Sequence, residues 1–287
     1  SPNTQKESLW NKWMKSFSEH RMGPGTPHRF HDISASVITA PNGTEYWRFN
    51  PSEFEAHFEE FFGESGWGFA NIERSLPGMN SGNSGAYLNG TINGHAWGSP
   101  EHTKLFREYA MLLQNEYEKL GMLGRVNIAW FDEPAESDYP YVRNGMQAIK
   151  DAAPKLQRFL TEPPVPGLYG YIDVWNPVTA QFDPVRAAER RALGEHVWTY
   201  VCCCPRTGHL SLFIDRPALE LRLWIWFAFK NQIQGVLIWA PNWWTANISN
   251  LIDPFEDPLS YSSVGGNYGN GDGRLLYPGA INWKTAV

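Results

Sequence analysis

Apolar residues recur at helical spacing along the chain, in Leu9/Trp13/Phe17, Phe54/Phe58/Phe61, Phe106/Tyr109/Leu113/Tyr117/Leu120, Val142/Met146/Ile149, Val185/Ala188/Ala192 and Leu219/Leu223/Trp226. Positions three and four apart share one side of a helix, so each set marks a buried helix face. Between the sets lie short runs rich in β-branched and aromatic residues, at 36–39, 68–72, 126–131, 157–161, 171–175, 197–203 and 235–239. These predict strands, mostly buried. Strands alternating with helices imply parallel pairing through right-handed crossovers, and about eight such units in about 250 residues is the size of a (β/α)8 TIM-type barrel. The chain opens on a helix at 6–20, so the first strand of the barrel is expected upstream of Ser1, with run 126–131 as strand four and an open or foreign-filled slot beside 36–39. Residues 162–167, with three prolines, leave no room for a helix and predict an irregular crossover.

The expected organisation is one barrel domain over 1–287, with long loops at 73–100 and 240–280 on the C-terminal face of the strands, where barrel active sites are built. These loops carry Tyr87, His95, Trp97, Trp243, Trp244 and Tyr277, more aromatic surface than a flexible linker holds.

Composition excludes several classes. With 24 Lys+Arg against 30 Asp+Glu the formal net charge is -6, which argues against nucleic acid as a partner. The longest apolar segment, 219–229, is interrupted by Glu220 and Arg222, so no membrane span is expected. The only cysteines are Cys202, Cys203 and Cys204, which allow neither a disulfide framework nor a spaced zinc site. His28 and His31 have a metal-like spacing without a third ligand nearby in sequence, and the turn-rich run 269–273 does not match an EF-hand loop, so neither metal nor cofactor is expected. Sequons at Asn42, Asn89 and Asn247 are compatible with a secreted or cell-envelope protein.

Asp132-Glu133-Pro134 closes run 126–131, placing two adjacent carboxylates where a buried strand reaches the barrel mouth. Such a pair suits glycosyl transfer to water; two solvated carboxylates on a surface turn are the alternative. Trp175, Tyr200, Trp239, Asn242 and Trp243 each lie at or just past a predicted strand end, and are expected to line one sugar-binding pocket with Asp132 and Glu133. Trp198 and Trp224 read as core.

The ordered set Trp130-Phe131-Asp132-Glu133-Pro134, Ile172-Asp173-Val174-Trp175, Trp198 to Cys202, Phe213-Ile214-Asp215-Arg216-Pro217, Gly235 to Trp239 and Gly271 to Gly279 resembles the catalytic barrel of glycoside hydrolase family 123 over roughly residues 100–280. The resemblance implies a β-N-acetylgalactosaminidase acting on a glycan or glycoconjugate by a substrate-assisted, retaining mechanism, in which the 2-acetamido oxygen is the nucleophile. It further implies that Glu133 protonates the leaving oxygen and later activates water, and that Asp132 holds the acetamido N–H. It also implies a β-sandwich domain preceding the barrel, or a partner chain completing it. Run 197–203 leads into Cys204-Pro205 without a carboxylate, where a barrel glycosidase with a protein nucleophile commonly carries one, and this favours a nucleophile supplied by the substrate. Two other readings stay open: hydrolysis of another β-glycoside with Asp173 or Asp215 as partner carboxylate, and a non-catalytic glycan-binding or structural barrel of an extracellular assembly.

Overall fold

The structure, a computed structural model, describes residues 2–80, 88–204, 208–243, 255–256 and 269–277. It divides into two compact units, Ser1–Leu160 with Gly167–Asp173, and Thr161–Pro166 with Val174–Val287. No helix among the described residues is long and apolar enough to cross a membrane.

The first unit begins with α1 (Pro2–Glu19) and a hairpin of β1 (Ser34–Thr39) and β2 (Glu45–Asn50). Here the expectation for 36–39 is corrected. These residues are not a parallel barrel strand but pair antiparallel with β2, Ser36 opposite Arg48 and Thr39 opposite Glu45. The cause is local: Gly43 takes φ 81° and the Asn42 Oδ1 accepts from Thr44 N at 3.0 Å, which turns the chain back on itself. The set Phe54/Phe58/Phe61 is likewise not one helix. It divides into α2 (Ser52–Ala56) and α3 (Phe58–Phe62) at His57, whose φ and ψ of -106° and 8° leave the helical region. The break lets Phe54 bury completely against Phe61, Phe62 and Tyr117, a burial worth about 1.5–3 kcal/mol.

Three parallel strands follow, β3 (Ile72–Arg74), β6 (Val126–Ala129) and β7 (Gln157–Leu160), with a small hairpin, β4 (Thr91–Ile92) and β5 (His95–Ala96), turned by Asn93-Gly94. The crossovers are α4 (Pro100–Lys119), capped at its N-terminus by the Ser99 hydroxyl, and α5 (Tyr139–Ala152). Glu73, Asn127 and Gln157 are register partners and so share one face of these strands. Arg74, Ile128 and Arg158 share the other, where Arg74 reaches Tyr117 of α4 and both oxygens of Asp32 at 2.9 and 2.6 Å.

In the second unit, β8 (Val174–Trp175) and β9 (His196–Val197) are parallel and joined by α6 (Pro184–Ala192); β10 (Thr199–Val201) and β11 (Val236–Ile238) are parallel and joined by α7 (Leu219–Lys230). Run 197–203 is therefore two short strands, not one. At the break, the amide of Trp198 donates to Trp175 O at 2.8 Å and its ring covers Gly235, where a Cβ would come within 2.3 Å of the indole. Val201, Leu212 and Trp224 form a core with Phe227 and Val236 around them, and Trp224 Nε1 donates to Thr199 Oγ1 at 3.2 Å. Parallel βαβ connections thus recur in both units, and the class is mixed α/β.

Candidate active site

β6 ends at Ala129, two residues earlier than the sequence suggests, and Trp130 and Phe131 pack stacked on each other at 4.9 Å between ring centroids. Both are buried, and α5 approaches them closely because position 145 is glycine: a Cβ there would lie 2.7 Å from Trp130 and 2.8 Å from Phe131. This wedge holds the chain as it leaves the strand, and Asp132 and Glu133 emerge exposed between the buried Phe131 and Pro134. Glu133 has φ 44°, a left-handed conformation that costs a side-chain-bearing residue about 1–2 kcal/mol. Strain of this kind concentrates where the fold holds a side chain in one direction for use.

A third carboxylate belongs here. Glu73, in register with Asn127 of β6, is exposed, and the charge of Asp132 reaches it. Desolvation, and after it the negative charge of Asp132, push its carboxyl above the ordinary range. From the sequence Glu73 reads only as the start of a loop, although it follows a predicted strand as Asp132 does. Asn127 is buried, and its Oδ1 has no hydrogen-bond partner among the described residues. Asp173, weighed as an alternative partner carboxylate, is bound instead to the buried Arg158 through both oxygens, at 2.7 and 2.8 Å. Asp215 accepts from Asn270 Nδ2 at 3.0 Å.

The expected aromatic set lies in the second unit, and its members differ. Trp175 is fully buried and its indole N–H donates to Glu195 Oε2 at 2.6 Å, while Tyr200 is 4% exposed within β10. Both are buried, so neither presents an exposed ring, whereas the sequence places them with the other strand-end residues in one pocket. The reason is register: along a strand only alternate side chains face one way, and strands of two or three residues give the sequence no alternation to read. Trp239, Asn242 and Trp243 are half-buried. The two rings meet at 5.4 Å and 55°, and the turn 271–274 locks them: Trp239 Nε1 donates to Asp272 Oδ1 at 2.9 Å, Trp243 N to Gly273 O at 2.8 Å, and Arg274 Nε to Trp243 O at 3.1 Å. Gly273, at φ 69°, passes so close to the indoles that a Cβ would lie 2.7 Å from Trp239. Asp272 is 1% exposed, its Oδ2 is unpartnered among the described residues, and burial raises its carboxyl above the ordinary range against the pull of the Trp239 and Gly273 N–H groups. It is the functional candidate of this unit that residue-level reading missed. Trp244 and Tyr87 lie outside the described residues.

Together these features give one unit a carboxylate pair on a rigid strand end and the other an indole pair braced by a buried carboxyl. The profile of the glycoside hydrolase 123 catalytic domain matches residues 85–286, which include both. A family 123 glycoside hydrolase from Clostridium perfringens, described for glycolipid glycan hydrolysis, superposes with a TM-score of 0.54 at 17% identity over 89% of this chain. The chain spans 45% of that protein's length. An FMN-binding β-glucuronidase from Facaelibacterium prausnitzii L2-6 (TM-score 0.37, 12% identity, 77% of this chain and 34% of that one) and active domain 2 of a thermostable chitinase from Pyrococcus furiosus (0.35, 12%, 88% and 81%) are too distant to bear on the reading. Among curated proteins none matches the sequence. On the extent of the profile match, this chain belongs to glycoside hydrolase family 123.

Proposed function

We propose that the chain is a retaining glycoside hydrolase that removes terminal β-linked N-acetylgalactosamine, with the substrate's own 2-acetamido oxygen as nucleophile. The observation that carries the reading is the adjacent pair Asp132 and Glu133 at the end of β6, with Glu133 held in a strained backbone conformation, inside the region that matches the family profile. Glu133 gives its proton to the leaving oxygen as the acetamido oxygen attacks the anomeric carbon, then takes a proton from the water that opens the oxazolinium intermediate. Asp132 accepts from the acetamido N–H and balances the positive charge that develops there. The half-buried pair Trp239 and Trp243, with Asn242, offers the aromatic face that a pyranose ring stacks on. The fold proposed for the whole is the (β/α)8 barrel, which the parallel βαβ connections support. A glycan substrate of this kind suits a secreted or cell-envelope location.

The test is turnover of aryl β-glycosides of galactosamine, glucosamine, galactose and glucose, with and without N-acetyl groups. Hydrolysis confined to 2-acetamido sugars, fastest for the galacto configuration, is expected. Equal turnover of β-galactosides and their 2-acetamido counterparts would overturn the mechanism, and glycan binding without turnover of any substrate would overturn the enzyme.

A further inference from the structure

Outside the family match, the fold brings together a set of side chains that sequence spacing did not join. His31, in the turn before β1, stacks on His57, between α2 and α3, with ring centroids 3.6 Å apart and an angle of 12°. Glu53 of α2 lies beside them, its Oε2 3.6 Å from His31 Nδ1. Each of the three offers one ligand atom, and these atoms lie within 4.8 Å of one another.

Hydrogen bonds around the set decide which ring atoms face it. His57 Nδ1 is 3.0 Å from the Glu53 carbonyl oxygen, which can only accept, so Nδ1 carries the hydrogen and Nε2 keeps its lone pair. His31 Nε2 is 3.1 Å from Glu7 Oε1 of α1, which places the hydrogen on Nε2 and the lone pair on Nδ1, toward Glu53. Ligating histidines characteristically donate their second ring N–H to a carboxylate or a backbone carbonyl, and both arrangements are present.

We propose that His31, Glu53 and His57 form a binding site for a divalent zinc-like cation, with Glu7 orienting His31. Two imidazole nitrogens and a carboxylate oxygen are a donor set zinc accepts, and bonds of about 2.0–2.2 Å in a tetrahedron require ligand atoms roughly 3.3 Å apart. Converging the His31 Nδ1 and His57 Nε2 lone pairs on one ion requires the two stacked rings to tilt apart by side-chain rotation, with Glu53, whose side chain is 70% exposed, swinging in as third ligand. The ion would tie α1, the turn carrying His31 and the α2–α3 break into one piece, a structural role independent of glycoside hydrolysis.

The experiment is titration of the full chain with cobalt(II) and with zinc. Cobalt is expected to give visible d–d bands of nitrogen–oxygen coordination at a ratio of one ion per chain, with zinc displacing it and raising the melting temperature. Glu53→Gln, a surface change that leaves folding intact, and His57→Ala should each abolish this signal, and Glu7→Gln should weaken zinc affinity 10- to 100-fold. The other cluster with ligand potential among the described residues, Cys202 to Cys204, would announce itself by intense sulfur-to-cobalt charge transfer in the near ultraviolet. That signature, the absence of binding, or binding unchanged in Glu53→Gln would overturn the site. An imidazolium bridging Glu7 and Glu53 with no metal would show as zinc-independent melting.

Discussion

At Glu133 a backbone cost and the proposed acid-base role fall on one residue. Its left-handed backbone is unfavourable for any side chain but glycine, so Glu133→Gly should raise the melting temperature, by relief of roughly 1 kcal/mol, while abolishing hydrolysis. Stability rising as activity disappears, measured on one sample, separates a residue held for function from one on an ordinary turn. Glu133→Gln should slow hydrolysis by ~10² to 10⁴-fold with a poor leaving group and much less with an activated aryl leaving group, because only the former needs a proton. Asp132→Asn should slow both alike, since acetamido positioning does not depend on the aglycone; a leaving-group dependence identical for the two variants would reject the division of labour. The pair itself was legible in the sequence, because a proline-stopped apolar run ending in two carboxylates is a local pattern. Glu73 was not, since its pairing with Asn127 and its proximity in charge to Asp132 exist only across strands.

At the scale of elements, two close approaches hold the candidate site residues, and each rests on a glycine. Gly145→Ala would improve helix propensity in α5 by up to about 1 kcal/mol, yet its Cβ would meet Trp130 and Phe131 at 2.7 and 2.8 Å. Overpacking should win, with a net loss of about 1–3 kcal/mol in a denaturant melt and impaired hydrolysis through displacement of Asp132 and Glu133. The turn 271–274 braces the indole pair through Asp272, whose folded carboxyl titrates above its unfolded value because burial outweighs its two hydrogen bonds. The folded state therefore binds the extra proton: the stability contribution is complete below the ordinary value of 3.8 and is lost as pH rises through the raised folded value. Asp272→Asn should keep the Trp239 bond through its amide oxygen and remove this pH dependence. Melting curves from pH 3 to 7 should show the variant gaining on the parent as pH rises, and parallel curves would contradict the assignment. The buried faces of α4 and α5 were readable from their apolar spacing, whereas in α6 and α7 the expected sets Val185/Ala188/Ala192 and Leu219/Leu223/Trp226 are exposed and Ala187, Trp224 and Ala228 are buried instead, because which side of an apolar helix is covered depends on what packs against it. The β1–β2 hairpin was carried by a proline-asparagine-glycine turn, which was available in the sequence but outweighed by the expectation of alternating strands and helices.

For the molecule as a whole, the proposed mechanism predicts a pattern of inhibition. A thiazoline mimic of the oxazolinium intermediate should bind 10²-fold or more tighter than N-acetylgalactosamine, because it resembles a state the enzyme stabilises. A 2-fluoro sugar, lacking the acetamido group, should leave no covalent adduct in a mass spectrum; a sugar trapped on a protein carboxylate would contradict the substrate-assisted route. The sequence by itself determined the α/β class, the placement of most helices and strands, and the carboxylate pair, since each depends on periodicity or on residues adjacent along the chain. Tertiary structure alone decided that 36–39 turns back on β2, that 197–203 splits between two pairings, that Trp175 and Tyr200 are core while Trp239 and Trp243 remain partly open, and that His31 meets His57. Those outcomes depend on which strand pairs with which and on a register of one residue, and pairing energy comes from partners distant in sequence that leave no periodic mark on the segment itself.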